Sequence, residues 1–191
     1  MKITLVSDII CPWCYIGKTR LQNAIEALQI QDRIQIEVSP YQLYPDIPIE
    51  GRHRSQFPKK AGHGSLLKEA GEQLGISFNW YQIEVIPNTL AIHEALFGLA
   101  KEVRWEAKTA LFKAYFTDGK PLHKASTVQE VLEPYQKILV DSELSISQLI
   151  TANQNRGISA VPSYIVDDEH ILKGAIEEER WKAFFKRRLG L

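Results

Sequence analysis

The sequence predicts an α/β chain: a β-α-β unit, a long helical insertion, and a closing β-β-α unit. Three observations predict it. An apolar run, a helical-period stretch and an alternating stretch follow one another between Ile3 and Tyr41. Helical periodicity then holds from about Ser65 to Arg156. Short strand-like runs return after Gly157 and a last helix closes the chain.

The elements follow in order. Ile3-Thr4-Leu5-Val6 is short, apolar and β-branched, and reads as a buried strand. Cys11-Pro12-Trp13-Cys14 comes next after a short loop, at the start of a helix. In that helix Tyr15, Ile16, Leu21, Ile25 and Leu28 recur at helical spacing, with Lys18, Arg20, Gln22 and Glu26 between them as its polar side. Ile34, Ile36 and Val38 alternate with Gln35, Glu37 and Ser39, which marks a second strand running to Tyr41 and completes a β-α-β unit. Pro40, Pro45, Pro48 and Pro58 make the following stretch an irregular connection.

The insertion reads as a series of helices. Ser65–Leu74 stops at Gly75, Asn88–Val103 opens on Asn-Thr, and Trp105–Phe116 ends before Asp118-Gly119. A further helix opens at Ser126-Thr127-Val128, with Gln129 or Glu130 as capping-box partner, and breaks near Pro134. Ser145–Asn155 ends at Gly157, a C-cap glycine. Trp80, Tyr81 and Trp105 are read as core of this block. Ser163–Val166, a turn at Asp167-Asp168-Glu169 and His170–Lys173 form a hairpin. In the last helix, Glu177–Leu189, acids come first and Lys186, Arg187 and Arg188 last, an order that suits the helix dipole. Arg187-Arg188 is its solvated end.

Composition narrows the function. The 191 residues are 45% hydrophobic and 24% charged, enough to build a real core and too apolar for a disordered chain. Lys+Arg and Asp+Glu are both 23, so there is no basic excess to draw nucleic acid. No apolar run approaches the roughly 18 residues of a membrane span. The apolar run at the N-terminus is short and interrupted by Asp8, so no secretory signal is expected and the chain reads as mature from Met1 and cytoplasmic.

Cys11 and Cys14 are the chain's two cysteines, and a loop that small staples nothing distant. In a reducing compartment such a pair points to redox or metal chemistry. At a helix N-terminus, unpaired N–H groups and a partial positive charge favour the Cys11 thiolate, which makes it the nucleophile. Pro12 fits the first helical turn. Cys14, one turn on, faces the same side and can resolve a mixed disulfide. The rival reading, half of a zinc site, needs four ligands. There is no second cysteine pair, and His53, His63, His93, His123 and His170 show no ligand spacing, so no metal is expected. Inert core cysteines are the other bland reading. Val161-Pro162 heads the hairpin, a position where proline is tolerated.

The order strand, Cys-x-x-Cys, helix, strand, helical insertion, Val-Pro, hairpin and helix resembles the thioredoxin fold of the DsbA family. The match Asp8-x-x-Cys11-Pro12-Trp13-Cys14-Tyr15-Ile16-Gly17-Lys18 resembles its FrnE-like branch, akin in fold to 2-hydroxychromene-2-carboxylate isomerase and kappa-class glutathione transferase. Pro40-Tyr41-Gln42-Leu43, Pro87-Asn88-Thr89 with His93, Leu111-Phe112-Lys113-Ala114-Tyr115-Phe116 and Val161-Pro162 resemble further motifs of that branch in the same order. The resemblance implies a thioredoxin-fold unit over residues 1–50 and 157–191, and a helical domain over 51–156 that caps the site. It also implies that Cys11 attacks, that Cys14 resolves, that Pro162 is cis beside the pair, and that the Val161 backbone binds an extended substrate segment.

The resemblance further implies a dithiol–disulfide oxidoreductase or isomerase with no cofactor beyond its own Cys11–Cys14 disulfide. Its partners would be protein or small-molecule disulfides and a cellular thiol reductant. The alternative is a glutathione-dependent isomerase or transferase, and a third reading is a redox-sensing or metal-binding module without turnover. Three positions bear on the choice. DsbA carries a His between its cysteines where this chain has Trp13, which implies a less oxidising couple. Many members carry a buried Glu where this chain has Leu5, so the usual proton acceptor is not evident. The isomerase and kappa-class enzymes have Ser where this chain has Cys11, which argues for dithiol chemistry. Asp8 is read as a loop or capping residue, with an electrostatic role as its alternative. Trp13 is a substrate contact or a packing residue. Asn88 and His93 are read first as a helix-start residue and a partly exposed helical His, and are carried as candidates for a thiol-substrate pocket.

Overall fold

The structure, a computed structural model, describes residues 1–57, 63–79, 82–136 and 145–191. Trp80, Tyr81 and Pro58 lie outside the described residues. Four strands form the main sheet: β1 (Lys2–Ser7), β2 (Gln35–Pro40), β5 (Ser163–Val166) and β6 (His170–Lys173), in the order β2-β1-β5-β6. Between them, β3 (Arg52–His53) and β4 (Val85–Ile86) make a separate two-residue ladder. Side chains of the central strands alternate between two apolar layers, as the period-2 geometry of a strand requires. Ile3, Leu5, Tyr164 and Val166 join the main core, while Val6 and Ile165 join a smaller cluster with Tyr41 and Ile158. Both central strands are thus covered on both faces, which explains why their sequences read as continuous apolar runs.

Pairing directions create the functional end of the sheet. β1 runs parallel to β2, with Leu5 opposite Val38, and antiparallel to β5, with Val6 opposite Ser163. The end of β1 that leads to Cys11 therefore lies beside the end of β2 that leads to Tyr41 and the start of β5, just after Pro162.

Helix α1 (Pro12–Ala27) starts at this end and packs on α7 (Glu178–Leu189). The insertion contributes α2 (His63–Gln73), α3 (Leu90–Phe97), α4 (Arg104–Phe112), α5 (Ala125–Leu132) and α6 (Ile146–Asn155). Both α4 and α6 pack against β2, and buried Asn153 ties α6 to the strand through Ser39 Oγ and the Pro40 carbonyl, both at 2.8 Å.

Four expectations need correcting. The stretch Asn88–Val103 is not one helix: α3 stops at Gly98, and Arg104 donates to the Phe97 and Leu99 carbonyls at 2.7 and 2.9 Å, satisfying groups a continuing helix would have used. Trp105–Phe116 is α4 followed by a π-helical segment at Lys113–Thr117. The helix near Ser126 has Lys124 as N-cap with no side-chain cap bond, and a capping box sits instead at Ser145 and Gln148. Lys18 and Arg20 do not form an outer polar side. Both are buried, because α1 is enclosed by the insertion as well as by α7. Lys18 Nζ lies 3.7 Å above the Trp105 ring, and Arg20 bonds the Ala175 carbonyl and Glu177 at 2.9 Å each.

Candidate active site

Cys11 is the N-cap of α1 and Pro12 occupies its first turn. The loop before it is held tightly: Cys11 N–H donates to the Asp8 carbonyl at 3.2 Å, and the Cys11 carbonyl accepts from Cys14 N–H at 3.0 Å. Both cysteines are free thiols. Cys11 Sγ donates to the Val161 carbonyl at 3.7 Å. The Val161–Pro162 peptide is cis. Cys11 keeps 5% of its surface open and Cys14 none. Burial pushes the Cys14 thiol well up, with neighbouring Cys11 adding to it, while an Asp8 backbone hydrogen bond and the charge of Lys108 pull it back. Trp13, between the cysteines, is half-buried at the edge of the core.

Gly17 leaves room on α1 for the Tyr164 side chain and Pro162. A Cβ there would strike the Tyr164 hydroxyl and lie 3.1 Å from Pro162 Cγ. Tyr164 is itself fully buried, with its ring edge-on to Trp181 at 4.9 Å. On the other side of α1, Tyr15 stacks on Phe112 at 5.3 Å and meets Phe78 and Phe116, which anchors the helix start to the insertion.

Beneath the pair lies a buried polar cluster that the sequence reading placed differently. Asp8 is fully buried: its Oδ2 accepts from Leu43 N–H at 2.7 Å, and its Oδ1 faces His93 Nε2 at 3.5 Å. His93 is also fully buried, not partly exposed, because it shares the inner face of α3 with Leu96 and Phe97. Its Nε2 lies 3.0 Å from the Tyr41 carbonyl, an acceptor, which fixes the proton on Nε2. Burial lowers the pKa of His93 and keeps it neutral, against the pull of Asp8. Lys108 completes the cluster, completely buried, with Nζ donating to the Ser7 carbonyl at 3.3 Å. Burial brings its ammonium down to about 8, opposed by Cys14, Asp8 and Cys11. Sequence reasoning missed Lys108. The available signal was its place between Trp105 and Phe112, at spacings of three and four, on an otherwise apolar helix face.

Asn88 is not in this cluster. It ties the 41–47 loop to the start of α3, accepting from Gln42 Nε2 at 2.8 Å and Leu90 N–H at 3.0 Å and donating to the Ile47 carbonyl at 2.6 Å. Among the described residues, no three His, Cys, Asp or Glu side chains gather as a metal site, and no helix is long and apolar enough to cross a membrane.

A four-stranded mixed sheet, a Cys-x-x-Cys pair at a helix start and a cis-proline facing it define a thioredoxin-fold protein of the DsbA class. The model of the DSBA-like thioredoxin domain matches residues 2–135, and the chain belongs to that family. It is 24% identical over 190 residues to the protein YwbO of Bacillus subtilis, covering 92% of this chain and 90% of that one. It superimposes with a TM-score of 0.79 on a probable DsbA oxidoreductase of Streptomyces coelicolor, at 20% identity, covering 100% of this chain and 90% of that one. With the cytosolic disulfide reductase DsbM of Pseudomonas aeruginosa, solved with GSH, the TM-score is 0.63 at 13% identity, with all of both chains covered. These structural likenesses are likenesses of fold.

Proposed function

We propose that this chain is a cytoplasmic dithiol–disulfide oxidoreductase of the FrnE-like branch. Cys11 attacks a substrate disulfide, a mixed disulfide forms, and Cys14 displaces the substrate. The observation that carries the reading is the placement of the two cysteines: both at the start of α1, Cys11 slightly open and beside the Val161 carbonyl, Cys14 sealed. The sealed, protonated Cys14 is unsuited to first attack and well placed for the second. The Val161 carbonyl beside Cys11 supports main-chain recognition of an extended segment. Cellular thiols supply the electrons. Nucleic acid and membrane play no part in the reading.

A second reading has one observation in its favour: the DsbM structure similar to this one was solved with GSH. On that reading the chain is a glutathione-dependent isomerase or transferase, and Cys14 is dispensable. Insulin reduction and reactivation of a scrambled protein, run on two variants, separate the readings. The dithiol reading expects Cys11→Ser to abolish turnover and Cys14→Ala to accumulate a mixed disulfide. Full activity in Cys11→Ser would overturn it, and full glutathione-dependent turnover in Cys14→Ala would favour the second reading.

A further inference from the structure

Lys108 belongs to the insertion, yet its ammonium reaches the end of β1, the strand that leads to the redox pair. Its Nζ bonds the carbonyl of Ser7, at the end of β1, and sits 5.8 Å from the centroid of the Phe112 ring. The charged and titratable groups facing it come from three directions: Asp8 in the β1–α1 loop, His93 on α3, and Cys11, Cys14 and Lys18 on α1. A buried ammonium is costly unless compensated. His93 does not compensate it, since the ring is neutral and its Nδ1 takes no hydrogen bond, and Lys18 repels it. Asp8 and the sulfurs remain, and Cys14 is the sulfur sealed from solvent.

We propose that Lys108 is a positioning residue for Cys14: its ammonium, balanced at rest by Asp8, steadies the negative charge that forms on the Cys14 sulfur as that sulfur displaces the substrate. The inference rests on the dithiol reading above. Its step balances. The Cys11 thiolate bonds to one sulfur of a substrate disulfide, and the other leaves as a thiolate that takes the Cys14 proton. The Cys14 thiolate then bonds to Cys11 and expels the first substrate sulfur as a thiolate. Two electrons pass from the cysteine sulfurs to the substrate sulfurs, and Lys108 keeps its proton throughout. Cys14 holds the Lys108 proton on and Lys108 draws the Cys14 proton off, the two directions that reciprocity requires.

The test uses the full chain and an aromatic disulfide that releases a coloured thiolate. The first equivalent reports capture by Cys11 and the second reports displacement by Cys14. Lys108→Met is expected to slow the second phase about tenfold or more at neutral pH and to shift its pH profile upward by about one unit. Lys108→Arg, which keeps the charge, is expected to restore most of the rate and the profile. An unchanged second phase in Lys108→Met, or a folded Lys108→Arg as slow as Lys108→Met, overturns the proposal. Absence of a second phase in the wild type overturns the dithiol reading instead. A measurement on the unmutated protein guards against misfolded variants: with isotope-labelled lysine, Lys108 is expected to titrate at lower pH in the disulfide form than in the dithiol form. Identical titration in both forms overturns the proposal.

Discussion

Gly17 leaves no room for a side chain against Tyr164 and Pro162, and it inverts an ordinary rule. Alanine is normally better than glycine in a helix by about 1 kcal/mol. Here the added methyl meets the Tyr164 hydroxyl and Pro162, and Tyr164 is locked between α1 and Trp181. Overpacking of this kind costs about 1–3 kcal/mol, so Gly17→Ala is expected to lower the denaturant midpoint. A raised midpoint would show the contact to be loose. His93 makes a second prediction at this scale. Its pKa is lowered in the fold, so below the ordinary value of about 6.5 the unfolded chain takes up a proton that the native state refuses. Stability is therefore expected to fall as pH drops from 7 toward 5, and the slope to flatten in His93→Gln. Equal slopes in both proteins would mean that His93 is not held neutral. At this scale motif and spacing singled out Cys11 and Cys14 in the sequence, whereas Pro162 was singled out only by the resemblance to the DsbA family. Asp8, His93 and Lys108 were not legible as a cluster, since they are brought together from three separate segments.

At the scale of elements, period was a faithful guide wherever an element was long. The strands around Leu5, Val38 and Ile165, and helices α1, α6 and α7, stand where the pattern put them. The failures have local causes. Two-residue strands such as Arg52–His53 are too short to show a period. The end of α3 depends on Arg104 reaching back to two carbonyls, and a side chain's reach leaves no periodic trace. Capping was misassigned because Ser126-Thr127 and Ser145 carry equivalent signatures, and only the latter forms the reciprocal pair with Gln148. Ser145→Ala is expected to cost about 1 kcal/mol in chemical denaturation, and Ser126→Ala much less. Equal costs for the two would contradict the assignment.

Across the whole molecule, the insertion and the sheet unit share one site. The sheet supplies the cysteines, Asp8 and Pro162, and the insertion supplies His93, Lys108 and the aromatic wall of Phe78, Phe112 and Phe116 behind Tyr15. Lys18 under Trp105 seals the same boundary, with burial bringing its ammonium down to about 7. The sign of that shift sets a pH window: the unfolded chain keeps the Lys18 proton up to about 10.4, so the cost of burying Lys18 is relieved between about pH 7 and that value. Stability of the wild type relative to Lys18→Met is therefore expected to rise across this window. A flat difference would contradict a buried ammonium there. The central claim, that Cys11 and Cys14 form a working redox couple, is tested most directly by equilibrating the protein in thiol–disulfide buffers and counting free thiols. The account predicts one reversible two-electron transition between about −270 and −180 mV, less oxidising than the roughly −120 mV of DsbA, because Trp13 brings no positive charge to the thiolate. Two thiols that stay free across the whole range, or a transition as oxidising as that of DsbA, would contradict it.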